Sequence, residues 1–386
     1  MDSITQFVLG AAVGEVTLKS SKLSSEGKPA FTLAPFFLGG LVGTLPDLDV
    51  IFRRFLTGPQ ALGFHRGVTH SLFFCTLVTP LLAWLCSRIF HRYDVSKRQW
   101  NLFVWLGLNT HWMIDSLTTY GTQVFLPFSN YPVNIGSVFI IDPVYTLPLL
   151  AGLLFTLFVS RGQRPYRPGG VRAGLLFSTA YLILTLGSKY AVLSRFERSL
   201  EQQGIAHRHL ISVATPFNSI LWYGLADTGE EVWVADSSLL DPFDREIVWQ
   251  KIPKNRDLLK NFGEGKADQR LLWFSRGFYR LDLVDGEPYF VDLRFGRLAS
   301  WLFPINPQGD DYLFRFGLLP ATDTGPYQDF LRRGRPRNLG EFPWGALWKR
   351  ILGQPVGPAR HENALTTGSA SSGRPTRFIS SSTSEV

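Results

Sequence analysis

Two carboxylates two residues apart, Asp47 and Asp49, follow a proline in Leu45-Pro46-Asp47-Leu48-Asp49. Two histidines flank an arginine in His65-Arg66-Gly67-Val68-Thr69-His70-Ser71. A third histidine and a third carboxylate stand four apart in His111-Trp112-Met113-Ile114-Asp115, on one face of a helix. Imidazole nitrogens and carboxylate oxygens together suit zinc, manganese or iron. No cysteine lies near enough in the sequence to suggest a closed structural zinc site. An open site leaves a position for water, whose pKa falls to ~7 on zinc, which makes hydroxide available at neutral pH to attack a phosphoryl or acyl centre. In this reading Asp47, His65, His70 and His111 are the metal ligands. Asp49 or Asp115 orients a ligand or acts as general base, and Arg66 holds an anionic substrate group. Glu15 and Asp142 are possible additional site residues.

Each of these residues has a plainer reading. A lone histidine in a membrane helix is commonly a hydrogen-bonded packer. Asp47 and Asp49 can cap a helix, and Asp115 can pair with Arg66. These readings must all hold at once if no metal is bound. An ionisable residue in a spanning segment costs ~2.5–3.5 kcal/mol on insertion scales and usually marks function.

The elements that must position these side chains are apolar. Residues 68–90, 99–120 and 171–193 are spanning candidates, and 139–159 is a fourth, interrupted by Asp142, Pro143 and Pro148. Each has about 20 residues, enough to cross ~30 Å of hydrocarbon. Two shorter runs, 4–18 and 31–45, are expected to be tilted, re-entrant or buried among the others. Gly39, Gly40 and Gly43 in the second allow close helix packing. The expected fold is an α-helical polytopic membrane bundle of about 4–6 helices over residues 1–194. A small β-rich domain follows over 195–352, and then a disordered Ser/Gly/Pro-rich tail over 353–386.

Loop charges give a direction. Arg88, Arg92, Lys97 and Arg98 form one basic loop, and Arg161, Arg164, Arg167 and Arg172 another; residues 117–141 carry no charge. The positive-inside rule puts both basic loops in the cytoplasm and the uncharged loop outside. The helix opening near His70 then runs inward, and the one ending near Tyr120 returns. Asp47, His70, Asp115 and Asp142 thus meet at one level, and the β-rich domain lies outside the cytoplasm. Within it, Asp285-Gly286 between two alternating runs predicts a hairpin.

The net charge of +8 sits largely beside apolar runs, which fits anionic lipid headgroups rather than nucleic acid. Cys75 and Cys86, the only cysteines, are read as apolar fillers. The first residues lack the positive segment of a cleavable signal.

The opening residues 1–15, with Leu45-Pro46-Asp47-Leu48-Asp49, the His65–Ser71 segment and His111-Trp112-Met113-Ile114-Asp115, resemble the YdjM/YfhP-type family of bacterial inner-membrane proteins. The resemblance covers residues 1 to about 160 and extends loosely through 214–223. It implies a predicted metal-dependent hydrolase with a distant likeness to all-helical zinc-dependent phospholipases C. Its implied site residues are Asp47, Asp49, His65, His70, His111 and Asp115. Some relatives carry a histidine where this chain has Gln6, and an amide is a poorer ligand.

The expected function is a membrane-bound metal-dependent hydrolase acting on a lipid or lipid-linked ester or phosphodiester. Its surroundings are membrane lipids, with no nucleic-acid partner. The alternative is a non-enzymatic metal carrier or metal-stabilised scaffold. A carrier needs polar residues continuing to the other membrane face, and Glu15 is nearly alone there. A third option is an interaction protein whose β-rich domain binds a partner.

Overall fold

A computed structural model describes residues 1–18, 33–91, 93, 95–159, 168–259, 262–296, 312, 314–320, 326–332 and 344–356. Arg92, Arg161, Arg164, Arg167 and most of the expected tail lie outside the described residues.

The first half is helical. Helix α1 (Ser3–Thr17) starts where the Asp2 side chain accepts from the Ile4 and Thr5 amides. It packs against α2 (Ala34–Thr44) through glycine faces. A Cβ added at Gly10 would lie 2.2 Å from the Gly39 carbonyl oxygen, and one at Gly14 would lie 2.1 Å from that of Pro35. The two backbones therefore touch, as small-residue faces allow. Pro46 tightens the chain into a 3₁₀ stretch, Leu45–Phe55, and α3 (Gly58–Phe64) follows. A short 3₁₀ turn, Val68–His70, leads into α4 (Leu72–Ile89), which the Ser71 hydroxyl caps by accepting from the Phe74 amide. Helix α5 (Lys97–Ser116) opens with a Ser96/Gln99 capping box. Helix α6 (Pro143–Phe158) starts at Asp142, and α7 spans Gly169–Gln202.

Among the described residues three helical stretches are long and apolar enough to cross a membrane: Ala34–Phe55, Leu72–Ile89 and Gly169–Gln202. The first joins the short apolar run ending at Leu45 to the 3₁₀ stretch that follows it. Helix α5, within the expected span 99–120, is less apolar than these three and carries a buried polar face. It packs on α1, α2 and α4 and buries Asn109, His111 and Asp115. Its low apolarity is the physical counterpart of that position, because its polar face meets partners rather than lipid.

The second part holds two antiparallel meanders. The first orders β1 (His209–Ala214), β2 (Leu221–Asp227), β3 (Glu231–Ser238) and β4 (Gln250–Pro253). The second orders β5 (Tyr279–Val284), β6 (Glu287–Asp292), β7 (Arg315–Pro320) and β8 (Tyr327–Arg332), with α8 (Lys266–Ser275) packed against it. Val284 pairs with Glu287, which leaves Asp285-Gly286 as the two-residue loop, both at positive φ (54° and 80°), as the hairpin reading required. Strand β2 is buried on both faces. Trp222 packs on Phe196 and Leu200 of α7, and Tyr223 and Leu225 pack towards Val291 and Leu293. A last helix, α9 (Trp344–Ile351), is tied to the first sheet by Arg350, which meets Asp241 and Asp236.

The β-rich part sits on the end of the bundle where α5 stops. The Gly58 amide of the α3 segment donates to Asp329 Oδ1 at 2.8 Å, and Leu62 of α3 joins the core of the second sheet. The Ala214 amide donates to the Gly136 carbonyl at 3.2 Å.

Candidate metal centre

Four side chains from three segments send one atom each to a common point. Asp47 comes from the 3₁₀ stretch after α2, His70 from the turn before α4, and His111 and Asp115 from one face of α5. His70 Nε2 lies 3.0 Å from His111 Nε2 and 3.3 Å from Asp47 Oδ1, and His111 Nε2 is 3.4 Å from the same oxygen. Asp115 Oδ2 is 3.6 Å from His70 Nε2 and 3.7 Å from His111 Nε2. The edge of a tetrahedron is about 1.6 times its centre-to-corner distance, so ligand bonds of ~2.0–2.2 Å imply edges of about 3.4 Å. The five separations scatter around that value.

The surrounding hydrogen bonds assign the tautomers. The single Thr69 hydroxyl proton goes to Asp49 Oδ2 at 2.9 Å, so Thr69 Oγ1 accepts from His70 Nδ1 at 3.0 Å. His111 Nδ1 donates to the Gly43 carbonyl at 2.6 Å. In the neutral form that donates from Nδ1, each imidazole turns an Nε2 lone pair to the shared point. In that form two imidazole lone pairs and two carboxylate oxygens converge. Asp115 Oδ2, within this buried point, has no hydrogen-bond partner. Arg66 supplies one positive charge beside Asp115 Oδ2, and the convergence of nitrogen and oxygen donor atoms also suits a metal ion. The side chains of His70, His111 and Asp115 are at most 1% exposed, whereas Asp47 keeps 19% and marks the open side.

Other polar groups hold these four in place. Gln6 Nε2 donates to Asp115 Oδ1 at 3.0 Å, and the Met1 α-amino group ion-pairs with the same oxygen. Arg66 Nε stands 3.0 Å from Asp115 Oδ2 without being aligned to donate to it. Its Nη1 donates to Thr118 Oγ1 at 2.9 Å, and its guanidinium lies 5.0 Å from the Tyr120 ring centroid. Arg66 is thus buried behind Asp115 rather than open to an incoming anion. Asp49 Oδ1 accepts from His65 Nδ1 at 2.8 Å, and Asp49 Oδ2 accepts from Thr69 and from the Arg66 amide.

Of the residues singled out from sequence, Asp47, His70, His111 and Asp115 come together. His65 stays outside the four and is bound instead to Asp49, its side chain 17% exposed. Asp142 is taken up by the start of α6 and by the Tyr181 hydroxyl at 2.8 Å. Glu15 is buried farther along α1, about 13 Å from Gln6 by helical rise. Thr69, Thr118 and the Gly43 carbonyl were not anticipated. A hydroxyl next to a candidate ligand, as Thr69 is to His70, was the available signal for the first; nothing in the sequence marks the carbonyl.

Comparison with known proteins covers the same half. Residues 1–192 match the family model described as YdjM inner membrane protein. An uncharacterized protein of Bacillus subtilis, YfhP, is 26% identical over 187 residues, 48% of this chain and 51% of that protein. The inner membrane protein YbcI of Escherichia coli is 39% identical over 88 residues, 23% of this chain and 49% of that protein. The chain spans about half the length of these curated relatives. No solved structure matches it. The matched residues contain the four converging ligands and the segments that carry them. The helical half of this chain, residues 1–192, belongs to the YdjM inner membrane protein family.

Proposed function

We propose that this protein is a membrane-bound metal-dependent hydrolase, with a zinc ion held by Asp47, His70, His111 and Asp115. The observation that carries the reading is the convergence of His70 Nε2, His111 Nε2 and one carboxylate oxygen each from Asp47 and Asp115 on one buried point. A bound zinc ion would act as a Lewis acid and bring the pKa of a coordinated water to about 7.

The chain's own groups supply the rest. Asp115 and its partners Gln6 and Arg66 form the closed back of the site. Asp47 and His65 line the open side. Asp49 holds His65 by Nδ1, which leaves His65 Nε2 as an acceptor for a proton. Asp49 therefore acts through His65 and Thr69 rather than on substrate. Arg66 positions Asp115 in this reading, in place of the substrate contact expected from sequence.

A lipid or lipid-linked ester or phosphodiester suits the surroundings. The 3₁₀ stretch bearing Asp47 and Asp49 also exposes Leu48, Ile51, Phe52 and Phe55, with Arg53 and Arg54 beside them. That mixture favours a headgroup-level position, with apolar groups in the acyl boundary and cations at the phosphates.

The test is hydrolysis of ester and phosphodiester lipid probes by detergent-purified protein. Expected are turnover by the wild type, its loss on chelation and recovery with zinc, and none in His111→Ala. Tightly bound metal with no turnover on either probe class would contradict the hydrolase reading and leave the carrier or scaffold.

A further inference from the structure

A second cavity, of about 120 Å³, lies between the helical part and the β-rich part, and none of the four metal-ligand candidates lines it. Its walls are mostly apolar and aromatic: Tyr120 and Phe139 from the loops after α5 and before α6, Val213 from β1, and Phe295 and Phe314 from the second sheet's side. Phe295 and Phe314 stack with centroids 3.8 Å apart. One charged side chain lines it, Arg294, which is fully buried.

The guanidinium of Arg294 is only partly used. Nε donates to Asp292 Oδ1 at 3.0 Å and Nη2 to Asp292 Oδ2 at 2.6 Å. The rings of Phe274 and Phe295 lie 4.7 and 5.3 Å from it. Among the described residues Nη1 has no hydrogen-bond partner. A buried donor without an acceptor is costly and is normally met by a partner or an ordered molecule. One water would satisfy the nitrogen but leave most of this apolar volume unfilled.

We infer that this cavity is a binding site for a compact neutral carbonyl compound, an amide, ester or ketone with a ring-sized apolar body, whose oxygen accepts from Arg294 Nη1. Size sets the body: about 120 Å³ is somewhat below the ~150 Å³ of a dry apolar cavity that takes a benzene ring, and the opening beside Ile140 leaves room for the carbonyl group. Charge sets the polar group. Asp292 already balances Arg294, so a carboxylate would add an uncompensated buried charge, whereas a neutral carbonyl adds none. The site goes beyond the metal reading and does not depend on it. The two share a boundary: Thr118 and Tyr120 line the cavity, and both also contact Arg66.

The test titrates benzamide, benzoate and toluene into the detergent-purified full chain by calorimetry. Benzamide is expected to bind saturably and at least about tenfold more tightly than either benzoate or toluene. Two variants locate the binding. Ile140→Trp places a ring at the cavity rim, where Ile140 is 39% exposed, and is expected to weaken benzamide at least about tenfold with an unchanged melting temperature. Arg294→Met is expected to bring benzamide down to the level of toluene. If Arg294→Met fails to fold, Ile140→Trp and the three-ligand ranking decide. The inference is overturned by absent saturable binding, by toluene or benzoate matching benzamide, or by unchanged benzamide affinity in a folded Ile140→Trp.

Discussion

Asp49 reaches the metal centre only through its neighbours. Its two oxygens fix His65, Thr69 and the Arg66 amide, and Thr69 in turn fixes the His70 tautomer. Groups that orient ligands in this way typically account for 10–100-fold in metal affinity. Asp49→Asn is therefore expected to weaken zinc about 10–100-fold in a chelator competition without unfolding the protein; unchanged affinity would contradict the assigned network. The residue types of this site were legible in the sequence, because histidines and carboxylates stand out in apolar runs. The exchange of His65 for Asp115 among the converging atoms was not legible. Arg66 adopts φ 57°, a conformation that spacing does not reveal, and the chain around this turn takes His65 to Asp49. The i, i+4 spacing of His111 and Asp115 gave a shared face but not how deep that face lies.

The glycine contact between α1 and α2 sets the geometry of the site. It brings Gln6 to Asp115 and the Gly43 carbonyl to His111. Gly39→Leu would drive a side chain into the Gly10 carbonyl. It is expected to lower stability by about 1–3 kcal/mol or more and to reduce bound metal together with it. Thermal unfolding in detergent and elemental analysis check this, and full metal content in a destabilised variant would separate the two effects and refute the link. In the β-rich part, burial pushes the Asp268 carboxyl up to about 6, against the opposing pull of the Gly263 and Gly265 amides it accepts from. The fold thus favours the protonated form. The resulting stability is present below about pH 4 and is lost as pH rises through about 6. Melting temperatures from pH 4 to 7 should fall less steeply in Asp268→Asn than in the wild type; parallel slopes would refute this. The turn at Asp285-Gly286 was readable because its residues tolerate positive φ. The depth of the polar face of α5 was not, because it depends on which helices pack against it.

Helix α7 joins the two parts of the molecule. Its 34 residues extend about 51 Å, well beyond the ~30 Å of hydrocarbon. Its distal turns carry Val192, Phe196 and Leu200 into the core of the first sheet. The β-rich part is thereby held against the end of the bundle where the candidate metal ligands lie. Loop charge argues that this end faces away from the cytoplasm. Reporter fusions after Arg161 and after Phe196 should report cytoplasm and exterior respectively, and a cytoplasmic signal at the second would reverse the orientation. A two-part division was readable in the sequence from the change in hydropathy after residue 194. The seating of the second part over the site was not, because it rests on contacts between residues far apart, such as Gly58 with Asp329 and Gly136 with Ala214.

The most direct test is the metal itself. Elemental analysis of detergent-purified protein should find about one zinc per wild-type chain, and a large loss in folded His70→Ala and His111→Ala. A metal-free wild type, or unchanged metal in both variants, would contradict the centre on which the proposed chemistry depends.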